Sequence, residues 1–113
     1  MPYISEKNRK NLDDAIENLI NSIKENGQYF VNAHMTKGRA LSNEELTTVL
    51  GDINYCFSRV LGDMMGTTSY SKIAMITGVL ENIKQEFYRR VAEPYEHNKI
   101  LENGDIKEYK RLK

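Results

Sequence analysis

Residues 42–66 read SNEELTTVLGDINYCFSRVLGDMMG, and this stretch decides the fold class. Ser42-Asn43-Glu44-Glu45 is a helix start of the reciprocal kind, in which the serine hydroxyl and the carboxylate three residues on satisfy each other's free backbone amides. Leu46, Val49, Leu50, Ile53, Phe57, Val60, Leu61 and Met64 then recur at spacings of three and four. That is the period of one helical face, and Gly66 closes it.

The same period appears on both sides. Upstream, a helix starts at Ser5 or Asp13 and carries Leu12, Ala15, Ile16, Leu19, Ile20 and Ile23 on one stripe, with Gly27 as its stop. Downstream, a third helix starts at Ser69 or Ser71 and carries Ile73, Ile76, Leu80, Ile83, Phe87 and Val91. Pro94 has no amide hydrogen to donate, so the chain is expected to break or kink there. A short fourth helix then runs from Pro94 to Leu101, with Asn103-Gly104 as its end signal and residues 105–113 as a polar tail or one more turn. Between the first two helices, residues 28–41, QYFVNAHMTKGRAL, show no period. They read as a long loop, either packed on itself through Tyr29, Phe30 and Val31 or functional. A short strand at 28–32 would need a partner strand from another subunit.

The expected architecture is therefore all-α: one domain over residues 1–113, a small bundle of three main antiparallel helices plus the short helix after Pro94. Residues 73–80 are apolar nearly all round, because Met75 and Val79 lie off the main stripe. A helix that is hydrophobic on every side needs cover on every side. The sequence thus points to a homo-oligomer, the alternative cover being the 28–41 segment.

Composition narrows the function classes. The 113 residues are 40% hydrophobic and 28% charged, as in a globular protein. Sixteen basic and sixteen acidic side chains cancel, so bulk charge gives no reason to expect nucleic acid or an anionic membrane as partner. The longest nearly apolar run, IAMITGVL, is far shorter than the ~20 residues of a membrane span. The N-terminal MPYISEKNRK lacks the apolar core of a signal peptide. Cys56 is the only cysteine and reads as a small buried hydrophobe. A reducing cytoplasm is the expected location.

Few residues carry chemistry. Gly51 and Gly78 interrupt helices at a cost of about 1 kcal/mol each relative to alanine, which close helix crossing would offset, or the approach of a ligand. Gly51, Tyr55, Ser58 and Arg59 share a stripe away from the apolar face, where a gap beside a tyrosine and an arginine would admit a planar or anionic ligand. Tyr88, Arg89 and Arg90 end the third helix. Arginine's planar fork suits phosphate or carboxylate, although Glu86/Arg90 and Arg89/Glu93 are also ordinary i,i+4 pairs. Glu93-Pro94-Tyr95-Glu96-His97 resembles a metal cluster only superficially, since Pro94 interrupts the spacing and the chain has no Glu-x-x-His pair. Neither a metal nor a cofactor is expected, and no nucleophile motif is present.

Five segments carry a resemblance: Gly51-Asp52-Ile53-Asn54-Tyr55, Gly78-Val79-Leu80-Glu81, Phe87-Tyr88-Arg89-Arg90-Val91, Pro94-Tyr95-Glu96 and Glu102-Asn103-Gly104-Asp105. In order and spacing, residues 50–106 resemble a widespread family of short phage, prophage and prokaryotic proteins of unknown function. The resemblance implies a phage-associated or bacterial cytoplasmic setting and carries over no catalytic residues. In that setting the expected function is non-enzymatic: a helical homo-oligomer that binds and sequesters an anionic, nucleotide-like small molecule. Arg59, Arg89 and Arg90 would hold its phosphates, and Tyr55, Tyr88 and Tyr95 would stack on or hydrogen-bond the rest. The alternatives are an interaction module that occludes a host protein and, third, a magnesium-dependent nucleotide hydrolase, for which Glu44-Glu45 is already explained by capping and Glu102 and Asp105 have the Glu-x-x-Asp spacing without a paired Glu-x-x-Glu upstream.

Overall fold

The reciprocal cap at Ser42 forms as its sequence demands. Ser42 donates its amide to the Glu45 carboxylate at 2.9 Å, and the Glu45 amide donates to Ser42 Oγ at 3.1 Å. A computed structural model of the chain describes residues 4–31 and 40–112, the side chains of 28–31 excepted. Every regular element among them is helical, so the protein is all-α. The described helices are α1 (Glu6–Val31), α2 (Asn43–Met65), α3 (Tyr70–Phe87), a π turn (Tyr88–Ala92), α4 (Glu93–Asn103) and α5 (Lys107–Leu112). The chain divides into two compact units, one spanning Tyr3–Thr68 and one built on Ser69–Lys113.

In the first unit α1 starts behind Ser5, whose carbonyl accepts from the Arg9 amide at 3.0 Å. It does not stop at Gly27. It runs on to Val31, so residues 28–31 are helix rather than loop or strand. Residues 32–39 of the expected loop, His34 among them, lie outside the described residues. Gly27 keeps an ordinary helical backbone, since among the described residues only Gly66 and Gly104 have positive φ. Its missing side chain serves another purpose. A Cβ placed there would lie 2.9 Å from Val49 Cγ1 and 3.1 Å from the Glu45 carbonyl oxygen, distances at which something must give way. The smallest residue thus lets the first turns of α2 press directly on α1. Val49 and Glu45, the residues that meet Gly27, have no exposed surface at all. Buried Glu45 is tolerable because its carboxylate accepts the Ser42 amide and its carbonyl accepts the Thr48 hydroxyl at 2.7 Å. Nearby, Asn26 Nδ2 donates to Asp52 Oδ2 at 3.3 Å across the same pair of helices.

The second unit begins at Ser69, whose hydroxyl accepts from the Lys72 amide at 3.2 Å and caps α3. Pro94 was expected to break or kink the chain and to open a short fourth helix; the chain does not break, and α4 does begin with Pro94 in its first turn. The helical run passes through it, because the preceding residues widen into a π turn in which the Glu93 amide donates to the Tyr88 carbonyl, five residues back. A proline within a helix lacks a donor and crowds the carbonyl four residues earlier. A locally wider turn relieves the crowding. The run ends at Gly104, whose φ of 85° is natural only for glycine and whose amide donates to Ile100 at 2.8 Å. Beyond it, of the two expected courses, polar tail or one more turn, the chain takes the helical one in α5.

Close helix crossing was the expected reason for Gly51 and Gly78, and the surroundings correct that. A Cβ at either position meets nothing within 4 Å. The tight approach belongs to Gly27 instead.

Candidate functional site

Tyr55 and Arg59 lie one turn apart on α2, and the Arg59 guanidinium sits over the Tyr55 ring, 5.8 Å from its centre. Together with Leu19 of α1 and with Cys56, Val60, Asp63 and Met64 they line an open depression in the first unit. The ring holds the cation by its electron-rich face, with Asp63 beside it. Cys56 is half-buried and free. Leu19 had no signal in the sequence as a neighbour of this pair, because its place depends on how α1 docks.

Tyr88, Arg89 and Arg90 occupy the π turn of the second unit, and Tyr95 follows on α4. Both arginines turn toward one carboxylate. Arg89 forms a very close ion pair with Glu86, and Arg90 reaches the other oxygen of Glu86 at 3.3 Å. The Glu86/Arg90 pair is as its spacing suggests. Arg89, however, pairs backward with Glu86 rather than forward with Glu93, since the π turn alters the spacing on which an i,i+4 pair depends. The Tyr88 hydroxyl lies 3.5 Å from both oxygens of Glu96, at the outer limit of a hydrogen bond. Lys99 stands over the Tyr95 ring at 5.5 Å, a pairing that the four-residue spacing already permitted.

Two shallow depressions flank this segment. One is lined by Glu81, Lys84, Gln85, Tyr88, Arg89 and Glu93. The other is lined by Arg89, Glu93, Pro94, Glu96, His97 and Ile100. Acidic side chains match the basic ones in the first and outnumber them in the second. Arg89 is shared by both and is already held by Glu86. An anion entering either would meet carboxylates and would have to compete with Glu86 for its arginines. The electrostatics therefore favour a self-contained network of ion pairs over a phosphate cradle. Among the described residues, no three histidine, cysteine, aspartate or glutamate side chains gather as a metal site would require. No described helix is long and apolar enough to cross a membrane.

What stands out is apolar. On α3, Ile73, Val79, Leu80, Ile83 and Phe87 are between 42% and 66% exposed. On α2, Leu46, Leu50, Phe57, Val60 and Met64 are similarly open. Arrays of this size on helix faces characterise surfaces that meet other protein.

These features define a helical protein with broad apolar faces and shallow, charge-balanced depressions. The chain belongs to the family described as a domain of unknown function (DUF6899), whose model matches residues 1–106, nearly the whole sequence. No curated protein and no solved structure matches it.

Proposed function

We propose that this protein is a non-enzymatic helical interaction module that works as a homo-oligomer, with copies covering one another's apolar helix faces. The observation that carries this reading is the stripe on α3, whose large aliphatic and aromatic side chains stand about half exposed in a single chain. Burying apolar surface contributes roughly 25 cal/mol per Å², so a second copy gains much by covering the stripe. In the assembly the main helices run antiparallel as a bundle. A phage-associated or bacterial cytoplasmic setting suits a small module that acts by binding.

Light scattering on the full chain tests the reading. Wild-type protein is expected to be at least dimeric at micromolar concentration. Ile83→Asp, which places a charge in the middle of the stripe, is expected to give monomer with helix content retained by circular dichroism. A wild-type monomer at that concentration sinks the reading.

A second reading has one observation in its favour, the Arg59–Tyr55 stack at the mouth of an open depression. There the assembled protein would bind and sequester an anionic, nucleotide-like molecule, whose phosphate would take Arg59 and whose base would lie on Tyr55. A thermal-shift panel of nucleotides and cyclic nucleotides tests it, because a ligand bound only by the folded state raises the melting temperature. Arg59→Ala should abolish any shift that appears, and a panel without a shift ends this reading.

A further inference from the structure

The α3 stripe has a finer order than its exposure alone reveals. Ile73, Ile76, Leu80, Ile83 and Phe87 succeed one another at intervals of three, four, three and four residues, the alternation by which two helices interlock side by side. The residues flanking this seam on one side, each next to a core position, are Lys72, Val79 and Glu86. A positive, a neutral and a negative side chain stand seven residues apart, and the series is complementary to itself when reversed.

We infer that two copies of this chain pair through α3 in antiparallel orientation, about a twofold axis near Gly78. This rests on the self-association reading above and adds its geometry. With the helices reversed, Ile76 meets the partner's Leu80 and Ile73 meets the partner's Ile83. Lys72 then comes opposite the partner's Glu86, and the twofold axis makes that pair twice. Val79 meets its own copy near the axis. In a parallel pair, by contrast, Lys72 flanks the partner's Thr77 and Lys84 flanks the partner's Val79, and no opposite charges meet across the seam. Charge therefore selects the antiparallel arrangement. Glu86 keeps Arg89 and Arg90 beside it, so the partner's Lys72 would share that carboxylate with them.

The area is adequate as well. The exposed seam side chains, with Val79 at the edge, offer on the order of 500 Å² of mostly apolar surface per copy, which with a polar rim clears the ~1,000 Å² total of a specific interface. Gly78 lies on the far side of α3 from the seam, in keeping with its open surroundings.

Charge exchange in the full-length protein tests the orientation. Lys72→Glu alone and Glu86→Lys alone each replace two attractions by two repulsions. Either is expected to raise the dimer dissociation constant roughly tenfold, read by sedimentation or concentration-dependent light scattering. An equimolar mixture of the two variants is expected to recover wild-type affinity, because every facing pair is again opposite in sign. The doubly exchanged chain, K72E/E86K, should recover it too, and it controls for loss of the Glu86 contacts to Arg89 and Arg90. If the wild type dimerises but neither exchange weakens it, the antiparallel pairing is wrong and self-association stands. If single exchanges weaken the dimer without rescue in the mixture or in the doubly exchanged chain, the facing of Lys72 and Glu86 is likewise wrong. A wild-type monomer removes both.

Discussion

Gly27 and Gly78 each stand well inside a long helix, yet their surroundings differ completely. Gly27 is pressed by Val49 and by the backbone of Glu45, whereas nothing approaches Gly78 within 4 Å of where a side chain would begin. The two glycines mark two kinds of helix surface. At Gly27 the first unit has closed on itself, and the residues against it are its fully buried pair. On α3 of the second unit the apolar side chains remain open. The contrast separates a closed helix contact at Gly27 from the open apolar side chains that α3 has in common with much of α2.

One substitution, made at both positions, puts the contrast at risk. Gly27→Ala is expected to destabilise the protein by about 2 kcal/mol, since an added methyl must displace Val49 or the Glu45 backbone. Urea unfolding measures it, and a neutral result would mean that the close approach is absent. Val49→Ala in the same background should recover part of the loss, because the two residues share one contact and their effects will not add. Gly78→Ala is expected to act in the opposite sense, stabilising by up to about 1 kcal/mol through helix propensity. A loss at Gly78 would reveal a hidden contact on that face. The smallest effect is expected at Arg89. Its side chain is largely exposed and Glu86 keeps Arg90 as a second partner, so Arg89→Ala should change stability by less than about 0.5 kcal/mol.

Much of the fold was legible because its signals are local. The Ser42–Glu45 cap, the Ser69 cap and the Gly104 stop all appear where short-range chemistry placed them. Local signals also mislead, as two identical dipeptides demonstrate. Asn103-Gly104 ends a helix with positive φ, while Asn26-Gly27 continues one. The difference lies in what packs against the second glycine, and no window of neighbouring residues contains that information. The site was less legible for a related reason. Arg89 and Arg90 looked available for an anion, but Glu86 lies close enough to hold both. Tyr55 and Arg59 stack as their four-residue spacing allows. Their neighbour Leu19 comes from a different helix and could be known only from the docked pair.

The π turn at Tyr88–Ala92 has a consequence for phase. Each residue of an α-helix advances the direction of its side chains by about 100°, and a π turn in effect accommodates one residue more than the regular spiral would. Side chains beyond Ala92 are thereby re-aimed relative to the α3 stripe by roughly that angle. Counting by threes and fours from Ile73 finds the right face only as far as Phe87. The turn works as an angular coupling within one helical run, which swings Leu101 away from the direction of Leu80 and Ile83 and brings Tyr95 toward it without any loop between them. Deleting Ala92 would draw the segment back toward regular winding, return Pro94 to conflict with the carbonyl behind it, and rotate everything that follows.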